Sequence, residues 1–196
     1  MTAHAPLFSI GHSNHDYERF LALLKAAQVT AIADVRTQPY SRHTPAFNAD
    51  ALKSSLKNDG IAYVFLGQPL GGRPSNKALY CEGVADYEKM AGEAEFHDGL
   101  ERLLKGAQDH RIAMMCSEQH PLDCHRCLLI GRALLQKDRD TQHILPDGSH
   151  ISQSQIEIQL LELSNKVQDD LFADATQRLN IAYAQRARKV AFAETA

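Results

Sequence analysis

Five times along this chain a short, unbroken apolar run gives way to a glycine-rich or polar junction, and then to a segment with helical apolar spacing. That alternation limits the fold more than any other feature. Unbroken runs of this length read as strands buried on both faces. Strands alternating with helices read as a mostly parallel sheet. The runs are Leu7–Ile10, Ala31–Val35, Ile61–Leu66, Arg111–Met115 and Thr141–Leu145. The first helix starts at Asp16 and carries Phe20, Leu21, Leu23, Leu24 and Ala27 on one face. The second starts at Asn48 or Asp50 and stops at Gly60. Glu95–Gln108 is amphipathic through Phe96, Leu100, Leu103 and Leu104. A helix capped by Asp123 buries Leu128, Leu129, Ala133 and Leu134, and Ser152–Ser164 is the last of the series. Residues 75–92 read as irregular, with one short helix around Asp86–Met90.

The expected fold is therefore an open three-layer α/β/α domain with a mostly parallel five-stranded sheet and helices on both faces. Five strands are too few for a closed eight-stranded barrel. The boundaries read as an α/β domain over 1–164 and a C-terminal helical extension over 165–196 packed on it. In that tail Leu171, Phe172, Leu179, Ile181, Tyr183 and Val190 recur at loosely helical spacing.

The N-terminal segment lacks the charged start and long apolar core of a signal peptide, and no window approaches a membrane span. Four cysteines without a secretory signal read as reduced thiols. Together these place the protein in the cytoplasm. A net charge of -3 argues against a global field for nucleic acid or an anionic membrane.

In a parallel sheet all strand ends share one edge, where ligands of open α/β sheets bind. That edge receives His12 and Ser13; Arg36, Ser41 and Arg42; Gly71, Gly72 and Arg73; and Cys116, Ser117 and Glu118, with Cys124, His125 and Arg126 opening the next helix. Arginine forks and helix N-termini suit phosphate or carboxylate. Glycine pairs admit close backbone approach. A thiol beside arginines is expected to ionise readily, which makes Cys116 the candidate nucleophile, solvent-open and with a lowered pKa. Cys127 is expected on the packing side, and Cys81 in an exposed loop. Cys124-His125-Arg126-Cys127 is a weak match to a dithiol redox motif. Cys116, Cys124 and His125, with His12 or Glu118, can also be drawn together as metal ligands, but Cys-x7-Cys-His is not a standard zinc pattern and no metal is assigned.

Ile10-Gly11-His12-Ser13, Asp34-Val35-Arg36 with Pro39, Ser41 and Arg42, Pro45-x-Phe47-Asn48, Leu70-Gly71-Gly72, and Cys116-x-Glu118-x-x-Pro121-x-x-Cys124-His125-Arg126 occur in that order. This series resembles the domain-of-unknown-function 488 family. The resemblance implies one α/β domain with a motif-lined site, and it names no reaction. Cys127 falls outside the family pattern.

The residues together point to an enzyme acting on a small anionic substrate, phosphate-bearing or nucleotide-like. Arg36, Arg42, Arg73 and Arg126, with Ser13, Ser41, Gly71, Gly72 and Ser117, would hold the anion. Cys116 would act as nucleophile, and Glu118, His12 and His125 would transfer protons. The alternatives are a nucleic-acid-binding module gripping phosphates with the same arginines, which the overall acidity disfavours, or a metal-binding regulatory protein. The substrate, any cofactor and the oligomeric state stay open, a homo-oligomer included.

Overall fold

The computed structural model describes residues 6–167 and 173–194. Its elements are β1 (Leu7–Gly11), α1 (Tyr17–Ala26), β2 (Ala31–Asp34), α2 (Ala49–Asn58), β3 (Ala62–Phe65), a single helical turn α3 (Gly67–Leu70), β4 (Tyr80–Cys81), β5 (Val84–Ala85), α4 (Tyr87–Ala91), α5 (Ala94–Gly106), β6 (Ile112–Cys116), α6 (Arg132–Leu135), β7 (Thr141–Ile144), β8 (His150–Ser152), α7 (Gln153–Leu163) and α8 (Ala175–Val190). The sheet order is β3-β2-β6-β1-β7-β8. Every neighbouring pair is parallel except β7 and β8.

The sheet thus has six strands where five were expected. The extra strand, β8, holds only His150, Ile151 and Ser152. It is too short and too polar to stand out as an apolar run. It folds back on β7 through the turn at Gly148, whose φ of 92° suits glycine. Residues 80–85 form a small separate hairpin in the stretch read as irregular. No helix among the described residues is long and apolar enough to cross a membrane.

Helix ends follow local chemistry. Asp16 caps α1 by accepting from the Arg19 amide at 2.7 Å. Gly60, at φ 74°, closes the C-terminus of α2. The cap expected from Asp123 is absent. Pro121–Asp123 is a 3-10 turn capped by His120, Asp123 instead pairs with Arg186 of α8, and the helix before α6 is a wider π turn over Arg126–Gly131. The wide turn packs tightly: a Cβ on Gly131 would lie 2.1 Å from Gln153 Oε1.

Alternation along the strands divides the core in two. Phe8, Ile10, Ile32, Ala113 and Met115 meet Phe20, Leu24, Leu52 and Leu56 of α1 and α2 on one face. Leu7, Ala33, Val35, Met114 and Cys116 meet α5, the π turn, α7 and α8 on the other. From α8, Ala182 and Tyr183 are buried in that second cluster, while Ile181 stays 39% exposed. Leu171 and Phe172 lie outside the described residues. A buried polar chain ties α8 to the sheet. The Ser9 hydroxyl faces His143 Nδ1 at 2.6 Å, His143 Nε2 faces Gln153 Oε1 at 2.8 Å, the Gln153 amide donates to the Tyr183 hydroxyl at 2.7 Å, and Tyr183 donates to Glu157 at 2.8 Å.

Candidate metal centre

The site is built at the end of β6. Because β6 lies between β2 and β1, Cys116 is flanked by Val35–Arg36 on one side and Gly11–His12 on the other. From Cys116 the chain runs out through Ser117–His120 and returns at the Pro121–Asp123 turn. That return delivers Cys124 and His125 to the same strand end.

Three hydrogen bonds fix the outgoing backbone: the Ser13 amide donates to the Ser117 carbonyl at 2.9 Å, and the Arg126 guanidinium donates to the carbonyls of Glu118 and Gln119 at 2.7 and 2.9 Å. Gly11 makes room, since a Cβ there would sit 1.8 Å from the Glu118 carbonyl oxygen.

Four reactive side chains converge here. Glu118 Oε2 lies 2.9 Å from Cys116 Sγ and 3.2 Å from Cys124 Sγ, and His125 Nδ1 lies 3.7 Å from each sulfur. His125 Nε2 is 2.9 Å from the Val35 carbonyl, which can only accept, so Nε2 carries a proton. In the neutral ring Nδ1 then presents its lone pair to both sulfurs. Among the described residues, Cys116, Cys124 and His125 are the one group of His, Cys, Asp or Glu side chains whose ligand atoms could hold an ion, all within 4.8 Å of one another.

A tetrahedral zinc ion with its usual bond lengths sets sulfur-to-nitrogen edges of about 3.6 Å. The two edges of 3.7 Å match that spacing without rearrangement. The sulfur–carboxylate edges are shorter, at hydrogen-bond length. Two thiolates and one carboxylate around a dication leave a single net negative charge, and the fully buried Arg126 beside them offsets it.

The electrostatics distinguish the thiols. The hydrogen bond with Cys124, and then burial, push Cys116 up. Burial also opposes ionisation of Cys124, but the Cys116 hydrogen bond and the charges of Arg126 and His125 outweigh it and hold Cys124 well below the usual thiol range. Burial lowers His125, yet the Cys124 thiolate more than compensates and the net direction is up. Burial, then Cys124, raises Glu118, although the residue keeps solvent-exposed surface. Burial drives Cys127 up to about 12, on the packing side as expected. Cys81 is exposed, also as expected.

The family model described as domain of unknown function DUF488 matches residues 16–133. The chain belongs to this family. Cys116, Glu118, Cys124 and His125 all fall inside the matched DUF488 segment, whereas His12 and Ser13 precede it and β7, β8, α7 and α8 follow it. No curated protein and no solved structure matches the chain.

In this DUF488 protein the residues predicted from sequence separate. A cleft of about 120 Å³ is lined by Cys116, Ser117, Glu118, Cys124, His125, Gly72, Arg73 and Arg36. Its other walls, Thr37, Gln38, Tyr87, Asp123, Val190 and Phe192, went unrecognised in the sequence. Gly72 belongs because a Cβ there would come within 2.9 Å of the His125 ring. Gly71 lines the neighbouring groove instead.

His12 and Asp34 turn to the opposite sheet face, and Arg36, although it lines one wall of the cleft, has its guanidinium drawn the same way. His12 stacks on Phe47 at 4.4 Å, and Arg36 is engaged by Asp34, by the Phe47 carbonyl and by His12 Nε2. Burial, then Arg36, holds His12 down at about 4. It is therefore a neutral acceptor for Arg36 and not a proton donor in the cleft, which corrects its expected role. Ser13 and Ser41 do not line the cleft. Ser41 is held on Asn48 Oδ1, and Arg42 is an exposed loop residue. Arg126 is fully buried beneath the loop and pins its backbone, so it is not an anion ligand. The solvent-open, acidic Cys116 is likewise corrected. It is 4% exposed, and the lowered thiol is Cys124.

Proposed function

We propose that this protein is a metal-dependent enzyme. It holds one soft divalent ion, zinc in the first place, on Cys116, Cys124, His125 Nδ1 and Glu118. The observation that carries this reading is the His125 ring: its Nε2–H is tied to the Val35 carbonyl at 2.9 Å, which aims the Nδ1 lone pair at two sulfurs. Metal-bound histidines are oriented by this kind of outer hydrogen bond. Two free thiols and the imidazole nitrogen 3.7 Å from each supply three donors of a soft or borderline ion, and the Glu118 carboxylate, which lies outside that group but against both sulfurs, is the candidate for the fourth. Reduced ligand thiols also fit a cytoplasmic location.

The substrate is a small anionic molecule. Arg73 at the rim and Ser117 meet it, and the cleft's size suits a phosphate or carboxylate group. The ion's role is to polarise that group or to supply an activated water. Nucleic acid is a poorer occupant, because Arg36 and Arg126 are engaged within the fold.

The test is a zinc competition titration against a chromophoric chelator, with chelator-stripped full-length protein. The wild type should take zinc from the chelator, and Cys116→Ser and Cys124→Ser should leave it there. Equal behaviour of all three proteins would overturn the metal reading. The zinc-loaded wild type, screened on small phosphate monoesters and on esters that carry a free carboxylate, should show turnover that Cys124→Ser lacks.

A further inference from the structure

Three of the four donors are built in, and one is not. Cys116, Cys124 and His125 are 4%, 2% and 7% exposed. Glu118 belongs to the exposed loop, and among the described residues no cation pairs with its carboxylate. Its Oε2 is hydrogen-bonded to the two sulfurs, and its own backbone amide also reaches the carboxylate. Its backbone, by contrast, is held by the Arg126 guanidinium and the Ser13–Ser117 hydrogen bond, over a glycine that leaves no slack. The carboxylate can therefore leave by side-chain rotation alone, with no loop movement. The direction it vacates opens on the cleft shared by Ser117, Gly72 and Arg73.

Resting on the metal reading above, we propose that Glu118 is a removable ligand that guards the reactive position, and that an oxyanion of the substrate takes its place on the ion. Structural zinc sites are closed by fixed ligands, whereas catalytic ones keep one exchangeable position. In the exchange the metal–oxygen bond to Glu118 breaks and a metal–oxygen bond to the incoming carboxylate or phosphate oxygen forms. With a carboxylate, one monoanion replaces another and the charge around the ion is unchanged. The displaced Glu118 swings to solvent at the cleft mouth. The substrate class follows: molecules presenting a terminal oxyanion that can reach an ion at the floor of a small cleft past Arg73. Neutral molecules of the same size cannot compete with the internal carboxylate.

Cobalt(II) substitution reads this directly. Full-length wild type, Glu118→Gln and Glu118→Ala are loaded with cobalt and titrated with acetate. The wild type should show a thiolate-to-cobalt charge-transfer band, and visible bands that shift saturably as acetate enters. Glu118→Ala should keep cobalt on the three remaining donors. It should bind acetate about tenfold more tightly or better, because a tethered ligand competes at a high effective concentration. Glu118→Gln, close in shape, should fall on the same side as Glu118→Ala. Circular dichroism of both variants confirms that they fold. If the band is present but insensitive to acetate, and both variants lose cobalt as Cys124→Ser does, then Glu118 is a fixed ligand and the proposal fails while the metal centre stands. If no charge-transfer band forms in the wild type, the metal reading itself fails.

Discussion

The His125 ring is tied to Val35 across the β2–β6 seam, Nε2 donating to the carbonyl oxygen at 2.9 Å. The contact spans ninety residues of sequence. It orients a side chain of the 124–125 turn from the strand next to Cys116. A ligand set separated along the chain is thereby aligned by the sheet, and the affinity of the site depends on residues that never touch the ion.

Gly72 tests that dependence. A Cβ at this position would lie 2.9 Å from His125 Cγ and 3.0 Å from Nδ1, so Gly72→Ala must rotate the ring away from the sulfurs. The expected loss of zinc affinity is about 10–100-fold, the usual effect of disturbing a ligand's outer partner. Competition titration should register it while circular dichroism stays that of the wild type. Unchanged affinity would mean that ring orientation is not set here.

Asp34 and Arg36 form a buried pair at 2.7 Å, and Asp34 also accepts from Tyr63 at 2.8 Å. Asp34→Asn leaves the Arg36 charge without its partner. It should lower stability by about 3–5 kcal/mol in urea unfolding. The effect on zinc binding should be small, since Asp34 lies on the other sheet face from the ligands and the Arg36 guanidinium is bonded there. A variant that folds normally but loses zinc would instead place the pair in the metal site.

The extent to which the site was legible follows from the same pleat. The buried strands stood out as apolar runs such as Ile112–Met115, and the glycine stop at Gly60 stood out too. What linear reading cannot see is strand parity at the sheet edge. It pooled His12, Arg36 and Cys116 at one rim, although alternation sends the first two toward Phe47 and the third toward Cys124. The seven residues between Cys116 and Cys124 match no standard zinc spacing because the chain loops out and returns through the Pro121 turn. Nor does a sequence reveal that Arg126 is buried to hold two carbonyls, since arginines are seldom fully buried. The adjacent Cys124-His125 pair after a strand-end cysteine was the available signal.

Two buried histidines predict the response to acid. Burial, then Arg36, holds His12 at about 4, with Asp34 and Arg126 also facing it. Burial, then Arg126, holds His143 at about 4, among Gln153, Asp140 and Cys124, with Ser9 on its Nδ1. Both are neutral in the folded protein, while in the unfolded chain they take up protons near the ordinary value of 6.5. Their contribution is complete above that value and is lost as pH falls from 6.5 toward 4. It amounts to up to about 3 kcal/mol each. Urea unfolding at stepped pH, with chelator present to silence the metal ligands, should show this decline. A flat profile over that window would contradict it.

Tyr183 links α8 to the sheet through Gln153 and His143. Tyr183→Phe keeps the ring under Arg132 but removes the hydroxyl between Gln153 and Glu157. A buried amide hydrogen is left unmet, and the expected cost is about 1–3 kcal/mol. Denaturant unfolding measures it, and zinc affinity should not change.

X-ray absorption at the zinc edge reads the ion and its neighbours together. Full-length protein purified without chelator should carry about one zinc per chain, with two sulfur and two nitrogen or oxygen neighbours at the distances of a tetrahedral site, sulfur near 2.3 Å. In Cys124→Ser one sulfur should be replaced by a lighter atom, or the zinc should be lost. Wild-type protein that arrives without metal, and that shows no sulfur neighbours after zinc is added, would contradict the account.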